Sequence, residues 1–197
     1  MASEADMEIC GEAEDSPAAI RGVGEANPDA IIVDISLKGA NGLELIKNLK
    51  AIHEDIPILM FSMHDETIYA QRALRAGAKA YVMKKESPSK VVDAIRKIIQ
   101  GEIYVSPSVA DQVLHQIVNG PGNVSTSPVD RLTDRELEVV QLIGRGLSSR
   151  EVAESLHLNV KTIESHRSRI KSKLELSSPS ELVRFAMRLQ NKVFRRF

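Results

Sequence analysis

Asp34, Ser62 and Lys84 each follow a run of apolar residues that favours a buried strand. In a parallel sheet the carboxyl ends of the strands share one edge, so these three side chains are expected to converge. A carboxylate, a hydroxyl and an ammonium group in one crevice could accept and hold a phosphoryl group. The carboxylate attacks phosphorus, the hydroxyl donates to a phosphoryl oxygen, and the ammonium neutralises charge. Strand ends are also polar simply because they meet water, but three matching ends make that explanation the weaker one.

Apolar and amphipathic segments alternate along the amino-terminal half, and these elements would position the crevice. Short apolar runs predict strands over 7–11, 30–34, 58–62 and 80–84, and the run over 30–34 is also rich in β-branched residues. Apolar residues at helical spacing predict helices over 17–25, 42–52, 67–76 and 88–100. The alternation predicts a doubly wound α/β fold, which is a parallel sheet with helices on both faces.

The composition changes between residues 103 and 128. A strand-like turn and a helix are expected over 103–118, and the Gly-, Pro- and Ser-rich residues 119–128 predict a flexible linker. Residues 1–128 carry a net charge of −6, and residues 129–197 carry +5. This asymmetry suggests two domains with different partners, the basic one binding an anion, although small domains also drift by a few charges.

Residues 129–197 show no strand pattern and predict a small all-α domain. Helices are expected over 134–144, 149–156, 160–174 and 179–190. A tight turn over 157–159 joins the second of these helices to the third. Two helices joined in this way, the second rich in basic and polar groups, are typical of a helix-turn-helix.

The helix predicted over 160–174 is the candidate nucleic-acid contact. Its apolar residues recur at helical spacing and are expected to face the core: Val160, Ile163, Ile170 and Leu174. The remaining side chains form the predicted DNA-binding set: Lys161, Thr162, Glu164, Ser165, Arg167, Ser168, Arg169, Lys171 and Lys173. Such a helix can enter the major groove, where polar groups meet base edges and cations neutralise phosphates. A solvated helix face is the competing explanation.

Composition and motif spacing exclude several classes of protein. Hydrophobic and charged fractions of 43% and 27% are ordinary for a globular chain, and no apolar run approaches the roughly 18 residues of a membrane span. One cysteine and an acidic start without a signal sequence predict a cytoplasmic protein. Haloacid-dehalogenase-type phosphatases place a second acid two residues after the nucleophile, where Ser36 stands, so that chemistry is excluded. Catalysis on a small molecule would rest on Asp34 alone, and we expect a non-enzyme.

Three segments of the amino-terminal half resemble the receiver domain of response regulators: 31–45, 59–66 and 73–84. The resemblance implies that Asp34 is the phosphoacceptor and that Lys84 contacts the phosphate. It implies that Ser62 and Tyr81 move with the phosphoryl group as switch residues. It also implies magnesium as the cofactor and a sensor histidine kinase as the phosphodonor.

The carboxyl-terminal domain resembles the LuxR-type DNA-binding domain nearly end to end, over 132–183. Together the two resemblances identify the chain as a member of the NarL/FixJ family of response regulators. This implies a transcription regulator that binds double-stranded DNA as a homodimer, with the helix over 179–190 supporting dimerisation. It places Glu164, Ser165 and Ser168 on the base-reading face, where Glu164 could accept a hydrogen bond from cytosine N4.

One departure from the receiver pattern concerns the metal. Receivers begin with a strand that ends in paired acids, whereas this sequence starts just before the equivalent of the second strand. Asp34 and the Ser36 carbonyl remain as predicted magnesium ligands, too few for a hard cation. Glu12, Glu14 and Asp15 would lie poorly placed at the sheet edge. We therefore expect magnesium binding and Asp34 phosphorylation to be weak or absent. A truncated sequence or a misplaced start codon would explain the missing first strand, and so would a natural degenerate receiver.

The predicted organisation is an amino-terminally truncated receiver over 1–104, a helix and flexible linker over 105–128, and a LuxR-type helix-turn-helix domain over 129–197. The predicted function is two-component transcription regulation controlled by aspartyl phosphorylation, without a membrane partner. The alternative is a phosphorylation-independent DNA-binding regulator whose amino-terminal half serves dimerisation or protein docking. A stable dimer whose DNA affinity ignores phosphodonors would favour that alternative.

Overall fold

The computed structural model describes residues 4–37, 40–123 and 128–194. Two compact units make up the chain, Met1–Val124 and Ser125–Phe197. The elements of the first unit are α1 Ser16–Ala26, β1 Ile31–Val33, β2 Ser36–Leu37, β3 Ala40–Asn41, α2 Gly42–Ile52, β4 Ile58–Ser62, α3 Glu66–Ala76, β5 Ala80–Met83, α4 Pro88–Ile99 and α5 Pro107–Asn123. Within the described ranges, no helix combines the length and apolarity needed to span a bilayer.

The strands β1, β4 and β5 form a parallel sheet with β4 in the middle. Ile32 lies opposite Leu59 on one side of β4, and Tyr81 lies opposite Met60 on the other. The predicted parallel sheet is confirmed. Because all three strands run in the same direction, their carboxyl ends meet at one edge of the sheet.

Helices cover both faces of this sheet. On one face α4 packs on a cluster of buried residues: Leu59, Ala80, Val82, Val91, Ala94, Ile95 and Ile98. Side chains alternate along a strand, so Met60 and Tyr81 point to the other face. Both are buried there, on the side where α2 contacts β1 and α3 contacts β5. The hydrophobic core of the first unit therefore lies on both sides of the strands that carry the crevice.

The segment predicted as a strand over 7–11 has no sheet pairing. Arg96 on α4 binds the carboxylates of Glu4 and Asp6 at 2.9 and 3.0 Å, and Met7 packs against the α4 cluster. The strand prediction was wrong because an apolar run becomes a strand only where another strand lies within hydrogen-bonding reach. Side-chain contacts with α4 hold this segment instead.

Helix α5 continues to Asn123 and so includes 119–123, which we predicted as flexible linker. That prediction was wrong for these five residues, because a helix already formed can extend through poor helix formers in its last turn. Residues 124–127 of the predicted linker lie outside the described residues. The domain boundary over 105–128 stays a prediction.

In its described residues the second unit is entirely helical, as predicted. It contains a 3-10 helix Pro128–Arg131 and four α-helices, α6 Asp134–Gly144, α7 Ser149–Ser155, α8 Val160–Lys173 and α9 Pro179–Phe194. Helix α6 contacts the other three. Leu137, Val140, Ile163 and Ile170 are fully buried and form the centre of this core.

Side-chain caps fix where the helices of the helix-turn-helix begin. Ser148 caps α7, and its hydroxyl accepts from the Glu151 N–H. Asn159 caps α8, and its Oδ1 accepts from the Thr162 N–H at 2.8 Å. Between the two helices His157 adopts a left-handed φ of 52°, which turns the chain tightly. These caps set the register in which α8 presents its side chains.

Candidate functional site

The carboxyl ends of β1, β4 and β5 bring Asp34, Ser62 and Lys84 together. Lys84 Nζ lies 2.5 Å from Asp34 Oδ2, with the side chains 33% and 29% exposed. The Lys84 N–H donates to the Ser62 carbonyl oxygen at 2.8 Å. The Asp34–Lys84 pair is thus partly open to solvent, whereas Ser62, at the end of the neighbouring strand, is fully buried.

Tyr81 lies buried beneath this crevice. Its side chain points away from the α4 cluster, and its hydroxyl donates to the His64 carbonyl oxygen at 2.8 Å. Burial raises the pKa of Tyr81 far above its usual value. The phenol therefore keeps its proton and remains a hydrogen-bond donor.

His64 joins the parts of the crevice, and sequence reasoning missed it. Its N–H donates to Ser62 Oγ at 3.1 Å, and its Nε2 lies 3.2 Å from Ser36 Oγ. Its ring packs on Tyr69 with 4.9 Å between centroids. The available signal was spacing: His64 and Ser36 stand two residues after Ser62 and Asp34, which lie at the ends of the neighbouring strands β4 and β1.

The loop after Asp34 closes through β2, β3 and the start of α2. Asn41 Oδ1 accepts from the Leu43 N–H at 2.9 Å, and the Gly42 N–H donates to the Ile35 carbonyl oxygen at 2.8 Å. A Cβ on Gly42 would lie only 2.0 Å from the Asp34 carbonyl oxygen. The close approach requires glycine at this position.

In the second unit, the apolar side of α8 faces the core. Ile163 and Ile170 are fully buried, as predicted, whereas Val160 is 43% exposed. The prediction for Val160 was wrong because it is the first residue of α8, where the packed face ends. The buried pair fixes the rotation of α8 and hence which residues face outward.

The outward side of α8 carries most of the predicted DNA-binding set. Five of these residues are exposed: Lys161, Glu164, Ser165, Ser168 and Arg169. Thr162 and Lys171 are half-buried. Part of the surface forms a shallow depression lined by Asn159, Lys161, Thr162, Ser165, His166 and Arg169. Basic and short polar side chains therefore lie together on one face.

Arg167 and Lys173, also predicted as DNA contacts, are engaged within the helical unit. The Arg167 side chain is 16% exposed, and its Nη1 donates to Ser149 Oγ on α7 at 3.2 Å. Lys173 Nζ lies 2.6 Å from Glu136 Oε2 on α6, and the Glu136 side chain is only 3% exposed. Each cation connects α8 to a neighbouring helix.

His166 lines the depression but differs from its basic neighbours in charge. Its Nδ1 is buried without a hydrogen-bond partner in the structure. Burial, and then the nearby Arg135 and Arg169, lower the pKa of His166 below its usual value. The lowered pKa favours the neutral ring near pH 7.

Two known protein families match this chain, one in each of its two units. Residues 1–96 match the response regulator receiver domain, and residues 130–186 match the bacterial regulatory proteins of the luxR family. The oxygen regulatory protein NreC of Staphylococcus carnosus (strain TM300) is 34% identical over 187 residues, which cover 93% of this chain and 86% of NreC. The chain belongs to the NarL/FixJ family of response regulators. This response regulator pairs its receiver with a LuxR-type DNA-binding domain, as the two resemblances implied.

Solved structures of response regulators share this fold. RcsB from Salmonella enterica serovar Typhimurium, bound to promoter P1flhDC in the presence of the phosphomimetic BeF3−, is 25% identical. The match has a TM-score of 0.53 and covers 88% of this chain and 82% of that one. A second RcsB structure from Salmonella typhimurium has a TM-score of 0.60 at 23% identity, with 91% and 84% covered, and supports the fold alone.

Receiver domains typically bind Mg²⁺ for phosphorylation, but the described residues do not fit that ion. Asp34 Oδ2 is already paired with the Lys84 ammonium. In the parts of the chain that the structure describes, no group of three or more His, Cys, Asp or Glu could hold a metal. Mg²⁺ needs near-octahedral oxygen coordination. Asp34 and Ser36, the predicted ligands, supply too little of it.

Proposed function

We propose that this response regulator binds double-stranded DNA as a homodimer through the exposed face of α8. The observation that carries the proposal is the orientation of α8. The apolar side chains Ile163 and Ile170 are buried in the core of the same domain, whereas the basic and polar side chains lie at the surface. A helix of this kind fits the major groove of B-DNA. Binding chromosomal DNA would place the protein in the cytoplasm.

The exposed and half-buried residues on the outward side of α8 divide by chemistry. Lys161, Arg169 and Lys171 would neutralise phosphates, which positions the helix without reading sequence. Glu164, Ser165 and Ser168 have the short acceptors and donors that read base edges. Glu164 favours cytosine, whose N4 donates in the major groove.

Arg167 and Lys173 have a different task in this proposal. Both are held by groups on neighbouring helices, Ser149 on α7 and Glu136 on α6. We assign them as positioning residues that fix α8 against its own domain. Removing either would weaken DNA binding only through the fold.

Fluorescence anisotropy with a labelled random-sequence duplex at low salt tests the DNA contact. Lys161→Ala and Arg169→Ala should each weaken binding by about five- to tenfold and reduce the salt slope by about one. Arg188→Ala removes an exposed arginine that lies on α9 and not on α8, and it should leave affinity unchanged. Absence of any duplex binding by the unaltered protein would reject the proposed function.

For the receiver we propose Asp34 as the phosphoacceptor of a sensor histidine kinase. Ser62 and Tyr81 would be the switch residues, and Lys84 the phosphate contact. Phosphorylation would shift the receiver between two states and so alter dimerisation or DNA binding. The ion pair between Lys84 and Asp34 and the poor metal fit lead us to expect slow phosphorylation of this chain.

Incubation with acetyl phosphate and magnesium, followed by intact-mass measurement, tests that expectation. We expect little labelling, because a metal is needed to neutralise the charge of the transferring phosphoryl group. Asp34→Asn is the control that removes the nucleophile. Complete labelling that disappears in Asp34→Asn would contradict slow phosphorylation while identifying Asp34 as the acceptor.

A further inference from the structure

Glu164 and Arg167 on α8 form an ion pair whose two members differ in their surroundings. Arg167 Nε lies 3.9 Å from Glu164 Oε2, about one turn of the helix away. The Glu164 side chain is 57% exposed, whereas the Arg167 side chain is 16% exposed. Arg167 Nη1 also donates to Ser149 Oγ at 3.2 Å, which ties the guanidinium to α7. An exposed carboxylate therefore lies beside a cation that is already fixed.

A second ion pair in the same unit has the same separation but different surroundings. Arg150 Nε lies 3.9 Å from Glu154 Oε1 on α7, and the two side chains are 85% and 72% exposed. Holding two mobile side chains together costs conformational entropy, so an exposed pair of this kind contributes little. The contact with Ser149 has already restricted Arg167. Its charge therefore acts on Glu164 without further ordering.

A carboxylate on the DNA-binding side of α8 meets two opposing effects. The duplex carries about one negative charge per 1.7 Å of its axis, and this charge repels Glu164 at any sequence. The N4 amino group of cytosine is a donor in the major groove, and it attracts the carboxylate at one kind of base pair. A fixed cation beside Glu164 offsets the repulsion and leaves the attraction to the base in place.

We propose that Glu164 makes this protein select a C·G base pair, and that Arg167 is the positioning residue that lets the carboxylate approach it. The inference rests on the proposed function, in which the outward side of α8 enters the major groove. For a duplex of random sequence Arg167 acts only by holding α8. At the preferred base pair it acts in addition through Glu164, because it orients the carboxylate and offsets its charge.

The same geometry disfavours thymine at that position. Thymine places its O4 acceptor where cytosine places the N4 donor. Glu164 has only acceptor oxygens when ionised, so the two groups repel each other. The discrimination therefore combines an attraction to cytosine with a repulsion from thymine.

Selection from a library of randomised duplexes by the full chain, followed by sequencing of the bound fraction, identifies the preferred base pairs. Glu164→Gln, selected in parallel, identifies the position that Glu164 reads, because an amide favours adenine and should change the preference there alone. Two duplexes that differ only by C·G and T·A at this position are then compared by fluorescence anisotropy. The ratio of their affinities measures the preference, and it does not depend on how much of a variant is folded.

The unaltered protein should bind the C·G duplex about five- to tenfold more tightly than the T·A duplex. Arg167→Met should lower that ratio to about twofold or less, because the carboxylate is then neither oriented nor offset against the phosphates. In a Glu164→Gln background, Arg167→Met should leave the ratio unchanged, since no carboxylate remains to be positioned. A role of Arg167 limited to the fold would not depend on residue 164 in this way.

Lys161→Ala is the matched control. Lys161 lies three residues before Glu164, as Arg167 lies three residues after it, but it is exposed and we assign it to a phosphate. Its removal should weaken binding to both duplexes alike and leave their ratio unchanged, because phosphate contacts carry no sequence information.

A selected sequence that Glu164→Gln leaves unaltered would overturn the proposal, as would equal affinity of the unaltered protein for the two duplexes. So would an Arg167→Met ratio equal to that of the unaltered protein, or a Lys161→Ala ratio that falls as far as that of Arg167→Met. In each of these cases duplex binding by the unaltered protein would leave the proposed function standing. Absence of binding to any duplex at low salt would instead reject the proposed function, and this inference with it.

Discussion

Glu136 and Lys173 form an ion pair in which the carboxylate is almost entirely enclosed. Their Oε2 and Nζ atoms lie 2.6 Å apart, and the side chains are 3% and 37% exposed. Burial opposes ionisation of Glu136, but hydrogen bonds from Lys173 and from the Thr133 N–H outweigh it and lower its pKa. The ion pair therefore connects α8 to α6.

Lys173→Met should destabilise the helical unit by about 1–3 kcal/mol, because a buried carboxylate loses its main partner. Lys171→Met, two residues away on α8, removes a half-buried lysine and should stay within about 0.5 kcal/mol. Urea unfolding followed by far-ultraviolet circular dichroism measures both. Equal midpoints for the two variants would show that the ion pair contributes nothing.

The lowered pKa of Glu136 also predicts how stability depends on pH. Its folded pKa lies below the ordinary 4.5, so the unfolded chain binds the proton first as pH falls. The stabilisation is complete above the unfolded pKa and is lost as pH falls through the folded pKa.

Urea midpoints measured between about pH 6 and pH 3 should fall more steeply for the unaltered protein than for Glu136→Gln, which has no charge to lose at this position. Parallel curves would mean that Glu136 does not titrate differently in the two states.

At the scale of elements, the contact between α6 and α9 depends on a glycine. A Cβ on Gly144 would lie 2.6 Å from the Ala186 carbonyl oxygen, which is backbone and cannot move aside. Leu182 and Ala186 on α9 and Ile143 on α6 are buried in the same contact region. The absence of a side chain at residue 144 therefore sets how closely the two helices pack.

Gly144→Ala should destabilise the second unit by about 1–3 kcal/mol, because the helices must separate to admit the methyl group. Gly24→Ala on α1 is the matched control, since its Cβ would meet no atom within 4 Å. Alanine should stabilise that helix by up to about 1 kcal/mol. Thermal unfolding by calorimetry separates the two effects, and a neutral Gly144→Ala would contradict the close approach.

At the scale of the whole molecule, charge is divided between the units. The chain has a net charge of −1, yet residues 129–197 carry +5, and the outward side of α8 presents Lys161, Arg169 and Lys171. The net charge of the protein therefore says little about its affinity for an anionic polymer. The local field at the outward side of α8 should control binding.

DNA affinity of the full chain should fall steeply with salt despite the negative net charge. Each phosphate that a cation neutralises contributes about −0.9 to the slope of log K against log salt. Lys161, Arg169 and Lys171 of two protomers predict a slope near −5 by the same relation, about −0.9 for each of six contacts. Anisotropy titrations across a salt series measure it, and a slope near zero would place the contacts elsewhere.

The local pattern of the sequence determined the helices and the strands that carry Asp34, Ser62 and Lys84. The spacing of apolar residues and the capping residues act over a few positions, so both can be recognised in the sequence. A strand at 7–11 could not be judged in the same way, because sheet pairing depends on a distant partner. The prediction of a flexible linker over 119–123 was wrong, because a helix can extend past weak helix formers.

The sequence by itself therefore determined that a receiver is joined to a helix-turn-helix and which residues converge at its strand ends. Only the tertiary structure decided that Arg167 and Lys173 connect helices and that His64 links Ser36 to Ser62. The reason is physical. Helical periodicity says which way a side chain leaves its own element, whereas the group that it meets is set by elements far away in the chain.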